Sequence, residues 1–184
     1  MAGSDRQRWD SRHAAVSVGE PMPPSALLGR ADVLPSPGRA LDVACGRGAV
    51  AVWLALRGFV VDAVDVSATG LAGGAELAER HGVGERIRWV RADLDGGLPA
   101  GRDPDGGYDV VVCQRFREPA LYPPLAAALR PGGLLAVTVL SEVGDEGGRF
   151  RAAPGELLAA FGDLDVLDHV EGDGEASLLA RRTP

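Results

Sequence analysis

"LDVACGRG", residues 41–48, runs an apolar stretch into two glycines and sets a carboxylate, Asp42, inside the apolar part. A strand that is only buried has no use for an acid one step before its end. In its setting, "RALDVACGRGAVAVWLALRG" (39–58), the stretch reads as strand, tight glycine turn and helix. Gly46 and Gly48 lack a Cβ, so the backbone there can take unusual φ values and a ligand can come close. The helix behind them points N–H groups and a partial positive charge at the gap. A dinucleotide-binding turn fits all of this equally well, because one G-x-G has low specificity.

Asp42 separates the two readings. A pyrophosphate would be repelled by it, whereas a cofactor carrying a cationic α-amino group and a sulfonium would welcome it. "VVDAVDVS" (60–67) ends its strand on Asp65, where a carboxylate can accept both hydroxyls of a ribose. "RWVRADLD" (88–95) ends the next strand on Asp93, which can accept from an adenine amine. Acids at three consecutive strand ends line the sheet edge where such folds bind ligands. They suit a positively charged nucleoside without phosphate. Asp65 and Asp93 also fit the bland role of caps or turn residues.

The chain's 184 residues and 46% hydrophobic content suit one domain with a sizeable core. All 19 cations are arginine, with no lysine or asparagine and one isoleucine, Ile87, a composition expected of a GC-rich bacterial genome. Lacking lysine, the chain can form neither a Schiff base to pyridoxal phosphate nor a P-loop. Net charge is −7, which disfavours a nucleic-acid partner and favours a small-molecule one. Cys45 and Cys113 make no disulfide framework, and with His13, His81 and His169 they make no metal set. "MAGSDRQRWD" lacks a signal-peptide core and no apolar run approaches a membrane span, so a cytoplasmic protein is expected.

After a polar head (1–23), the pattern predicts a helix over 24–33, strand 39–44, helix 48–57, strand 59–65 and helix 68–81. Strands at 86–92 and 108–113 follow, on either side of a Gly/Asp/Pro-rich loop. A helix over 123–130 opens on Pro123-Pro124 and stops at Pro131-Gly132-Gly133. Strand 134–140, the "SEVGDEGG" loop, helix 154–161 and strands 164–170 and 175–181 complete the chain. Alternating strands and helices imply a doubly wound, mostly parallel α/β sheet of seven strands. Only "EGDG" separates the last two strands, so they form an antiparallel hairpin and the sheet ends with a reversed strand.

In this order and spacing "LDVACGRG", "VDAVDVS", "RADLD", "YDVVVC", "LRPGGLLAVTVL" and the closing hairpin resemble the class I S-adenosylmethionine-dependent methyltransferases, over nearly the whole length. "W-D-x-R-H" at 9–13, "PGELLAAF" and "LDVLDHVEG" are most similar to the small tellurite-resistance-type branch. The resemblance implies a Rossmann-like methyltransferase fold that binds S-adenosylmethionine. The backbone of Ala44, Cys45, Gly46 and Gly48 would face its methionine part, Asp65 its ribose, Val66 the adenine face, and Asp93 with Leu94 the adenine edge. Cys113 would offer its backbone near the amino-acid moiety. Ala44 departs from the family pattern, which has a glycine there. "QRFRE" (114–118) lacks the N/D-P-P-Y of amino-directed DNA methyltransferases and the Pro-Cys of cytosine-C5 enzymes.

The expected activity is transfer of a methyl group to a small-molecule acceptor by in-line displacement. If the acceptor is a hydroxyl or amine, His13, Arg115 and Glu118 are the polar candidates, His13 first. A non-catalytic cofactor-binding protein and an NAD-type oxidoreductase are the alternatives. The head carries Trp9, Arg12, His13 and Met22, an unusual set for a discarded tail. It is expected to act as a lid, with Arg12 on the cofactor's carboxylate; a plain terminus is the alternative.

Overall fold

The computed structural model describes residues 2–15, 19–100, 106–145, 147–148 and 150–184. Part of the head (16–18), of the loop before Tyr108 (101–105) and of the "SEVGDEGG" segment (146), with positions 1 and 149, lies outside the described residues. The chain divides into two compact units, Met1–Pro23 with Pro37–Asp105, and Pro24–Ser36 with Gly106–Pro184. Seven strands form one mixed sheet in the order β3-β2-β1-β4-β5-β7-β6.

In the first unit α1 (Ala2–Ala14) precedes β1 (Arg39–Val43), α2 (Ala49–Ala55), β2 (Val60–Asp65), α3 (Ala68–Arg80) and β3 (Ile87–Arg91). β2 pairs in parallel with β1 and with β3, setting Leu41 beside Asp62 and Asp65 beside Arg91. The near-continuous apolar runs of β1 and β2 reflect burial on both faces. Val43, Val61, Leu54, Phe59 and Leu77 form the core of this unit.

The second unit holds β4 (Tyr108–Gln114), α4 (Tyr122–Ala127), β5 (Leu129–Leu140), α5 (Glu156–Phe161), β6 (Asp165–Gly172) and β7 (Glu175–Arg181). β4 and β5 are parallel; β7 is antiparallel to both β5 and β6. The reversed strand expected from the hairpin is therefore β7, inserted between its neighbours.

Three expectations are corrected. The helix over 24–33 is two 3-10 turns, Ser25–Leu27 and Ala31–Val33, because Gly29 between them adopts φ +71°. The helix over 123–130 ends at Ala127, and β5 starts at Leu129 instead of 134, where Leu129 pairs with Tyr108. Gly132 is held in this early strand by its N–H to Arg182 O, 2.8 Å. Finally the head, read without regular structure, forms α1.

Candidate functional site

The turn after β1 is built from left-handed residues, Ala44 (φ 55°), Gly46 (φ 54°) and Gly48 (φ 71°). Ala44 adopts the conformation that a glycine would take most easily, at a modest steric cost. Three N–H groups of the turn are committed, two to β2 and one within the turn. Cys45 N donates to Val64 O (3.0 Å), Gly48 N to Cys45 O (2.9 Å), and Gly46 N to Asp65 Oδ2 (2.8 Å). A phosphate cradle needs such amides free, and here a carboxylate already occupies one of them.

Asp42 is 2% exposed. Gly48 is the N-cap of α2 and has no side chain to cap it, so Asp42 reaches from β1 to accept the Ala51 N–H in the first helical turn. Its Oδ2 is buried without a hydrogen-bond partner. Burial and the like charge of Asp65 push its carboxyl up to about 8, against the pull of the Ala51 N–H. At neutral pH it is therefore mostly protonated. Asp65, at the end of β2, spends Oδ1 on Ser67 N (2.8 Å) and Oδ2 on Gly46 N. Each oxygen keeps further lone-pair capacity.

The space left by the glycines is used from within. A Cβ on Gly48 would lie 2.4 Å from the Trp89 ring, which also fills the space at Gly74. A Cβ on Gly46 would lie 3.3 Å from His13 Cε1, and one on Gly70 would meet Gly46 O at 2.7 Å. Gly48 is thus a packing glycine for β3 and α3, while Gly46 and Gly70 let His13 rest on the turn. Burial, ahead of the opposing pull of Asp65, lowers the His13 pKa and leaves its imidazole neutral at pH 7. Trp9 stacks on His13, with ring centroids 5.9 Å apart. Arg12 is exposed and lies over Trp9 at 5.3 Å, a cation–π contact.

Asp93 caps the 3-10 turn Leu94–Gly96 through Asp95 N (3.1 Å), the bland role its position allowed, and Leu94 is buried. Val66 O accepts from Arg91 Nε at 3.3 Å. Burial, then Asp42 and Asp65, push the thiol of Cys45 well above its ordinary value, which disfavours the thiolate. In the second unit Cys113 lies buried near the end of β4 and its Sγ approaches Phe116 O at 3.5 Å. Arg115 (φ 55°) pairs with Glu175 at 3.1 Å, and Glu118 caps the turn Pro119–Leu121. Both are therefore engaged structurally.

Three participants were missed in the sequence. Asp10 accepts from Ser67 Oγ (2.6 Å) and Thr69 N (3.1 Å), which hold its carboxyl below the ordinary value. Arg47 Nη1 donates to His13 O at 2.5 Å. Ser67, the N-cap of α3, is fully buried and accepts from Gly70 N at 3.0 Å. Their sequence signals were "W-D-x-R-H" for Asp10, "LDVACGRG" for Arg47 and "VDVS" for Ser67, which show residue types but not their meeting. Among the described residues no cluster of His, Cys, Asp and Glu could hold a metal, and no helix is long and apolar enough to cross a membrane.

Residues 40–133 match the family described as a methyltransferase domain. The chain belongs to this family. A curated relative of this methyltransferase-family chain, the ribosomal protein uL3 glutamine methyltransferase of Bordetella pertussis, is 33% identical over 171 residues, covering 78% of this chain and 54% of its own. The chain spans about half or less of the length of the curated relatives it matches. Its fold is similar to that of TehB from Haemophilus influenzae, at TM-score 0.72 and 21% identity, over 85% of this chain and 61% of that one. It is likewise similar to magnesium protoporphyrin IX methyltransferase from Synechocystis PCC 6803, described with bound SAH (S-adenosylhomocysteine), at TM-score 0.65 and 18% identity, over 97% and 84%. The seven-stranded sheet with its reversed β7 is the methyltransferase form of the Rossmann-like fold.

Proposed function

We propose that the chain is an S-adenosylmethionine-dependent methyltransferase acting in the cytoplasm on a small-molecule acceptor. The observation that carries the reading is Asp42, a buried carboxylate with one oxygen unpartnered beside a turn three of whose N–H groups are committed. Such a site rewards a cation and penalises a phosphate, so the residues present fit the cofactor's ammonium and sulfonium. An NAD-type oxidoreductase would need the opposite. On this reading Asp42 neutralises the cationic end, Ala44, Cys45, Gly46 and Gly48 form the floor, and Asp65 receives the ribose. Val66, Asp93 and Leu94 border the adenine, and Cys113 offers backbone to the amino-acid moiety. Arg12 would have to leave Trp9 to meet the cofactor's carboxylate.

S-adenosylmethionine, when bound, supplies an electrophilic methyl on a positive sulfur. The protein's own work is then to orient, exclude water and move at most one proton. An acceptor that enters as a hydroxyl or amine must lose a proton, and the neutral His13 imidazole over the turn is placed to take it. A small acceptor is supported by the net charge of −7, which disfavours a nucleic-acid partner. The glutamine named in the Bordetella pertussis relative is the competing acceptor class. Titrating SAH into the protein tests the cofactor reading. Asp65→Ala should weaken binding by about 1–3 kcal/mol, the scale for hydrogen bonds to a charged group. Unchanged affinity removes Asp65 from the ribose, and a methyl-acceptor screen of small molecules against ribosomal proteins decides the acceptor.

A further inference from the structure

α1 has little apolar surface of its own to bury; between Arg6 and Ala14 its one large apolar side chain is Trp9. An isolated helix of its 13 residues would be marginal in water. Its seat therefore depends on a few polar contacts, which converge on one turn. Asp10 and His13 are three residues apart and share a helix face. Asp10 Oδ1 holds Ser67 Oγ and Thr69 N. Ser67 N holds Asp65 Oδ1, and Asp65 Oδ2 holds Gly46 N. Gly46 is the residue against which the His13 ring rests. The route leaves α1 at Asp10 and returns to it at His13, while Arg47 secures the helix end at His13 O.

Capping is only part of what Asp10 does: Ser67 accepts from Gly70 N as the N-cap of α3 and Asp10 adds the Thr69 N–H of the same turn, but Asp10 also holds Ser67 Oγ from another helix. What Asp10 adds is a tie from α1 to the residue that orients Asp65. We propose that Asp10 is a positioning residue for cofactor binding, seating α1 so that His13 covers the glycine turn and Ser67 holds the Asp65 carboxylate in one orientation. The inference rests on the reading of this edge as the S-adenosylmethionine site. Asp10 itself touches neither cofactor nor acceptor; its effect passes through Ser67, Asp65 and His13. The expected lid thereby gains a latch.

The test uses the full chain with SAH as probe, comparing wild type, Asp10→Ala and Asp10→Asn by calorimetry, thermal melting and amide hydrogen exchange. Asp10→Ala should weaken SAH binding roughly three- to thirtyfold, the scale of losing a capping side chain, and raise exchange in α1 even with SAH bound. Asp10→Asn keeps an acceptor oxygen for Ser67 and Thr69, so it should recover most of the affinity. A purely structural tie lowers the melting temperature of Asp10→Ala but leaves its affinity at the wild-type value, and that result overturns the proposal. Tighter binding by Asp10→Ala also overturns it, since α1 would then obstruct the site. Failure of the wild-type chain to bind SAH defeats the cofactor reading itself, an outcome separate from unchanged affinity in the variants.

Discussion

Asp42 and Asp62 are two carboxylates in paired strands, each 2% exposed, and the protein treats them in opposite ways. Leu41 is the partner of Asp62 and Ala63 that of Asp42, so the two acids face opposite sides of the sheet. Asp62 meets Arg88 Nε at 2.9 Å and Arg39 Nη2 at 3.8 Å. Asp42 receives one helix N–H, has an unpartnered oxygen and feels the like charge of Asp65. A buried charge that serves structure is compensated at once. A carboxyl left without a cation beside a glycine turn keeps its proton instead, an arrangement that makes sense if a cationic ligand later favours its charged form.

The largest effect should come from breaking the compensated side. Arg39→Met with Arg88→Met takes two cations from the buried Asp62 and should cost about 3–5 kcal/mol in urea unfolding. Adding Asp62→Asn should return part of this; a loss near zero would mean that Asp62 is solvated and the contrast false.

Asp42→Asn should act in the other direction on the unliganded protein. The folded carboxyl titrates near 8 and the unfolded one near its ordinary value, so between these the folded chain binds more protons. Stability from this group is therefore present at low pH and falls as pH rises from about 4 to about 8. Asn should flatten that slope in melts across pH 5–9 and weaken S-adenosylmethionine binding by about 1–2 kcal/mol. Wild-type affinity should itself rise with pH up to about 8, as binding then releases fewer protons. An unchanged melting profile would mean that the Asp42 carboxyl is not raised and would break the comparison.

The smallest effect belongs to Asp93, which caps a three-residue turn. Asp93→Ala should cost no more than about 1 kcal/mol of stability and less cofactor affinity than Asp65→Ala. Complete loss of SAH binding from this one change would place Asp93, rather than Asp42 or Asp65, at the centre of the site.

Much of this contrast was legible before folding. Asp42 stood out because an acid inside "LDVACGRG" violates the apolar pattern, and Asp65 because it ends "VVDAVD". Their partners were not legible, since Ala51, Ser67 and Gly46 reach them only across strand-to-helix turns. Gly48 read as ligand space; that a Cβ there would also meet Trp89, 41 positions later, was not legible. α1 escaped notice because periodicity detects helices that bury an apolar stripe, and this one is seated by Asp10, Arg47 and the His13 ring against Gly46. The 24–33 segment misled for the converse reason: its composition suits a helix, but Gly29 turns left-handed.

The sequence by itself determined the alternation of strands and helices, the hairpin that reverses the last strand, and the acids at three strand ends. These depend on period, turn length and residue type, which are local. The tertiary structure alone decided that β7 enters between β5 and β6, that Arg39 and Arg88 compensate Asp62 while Asp42 keeps an unpartnered oxygen, and that Asp10 meets Ser67. Each joins residues distant along the chain, and only packing fixes which of the available polar partners a buried group finds.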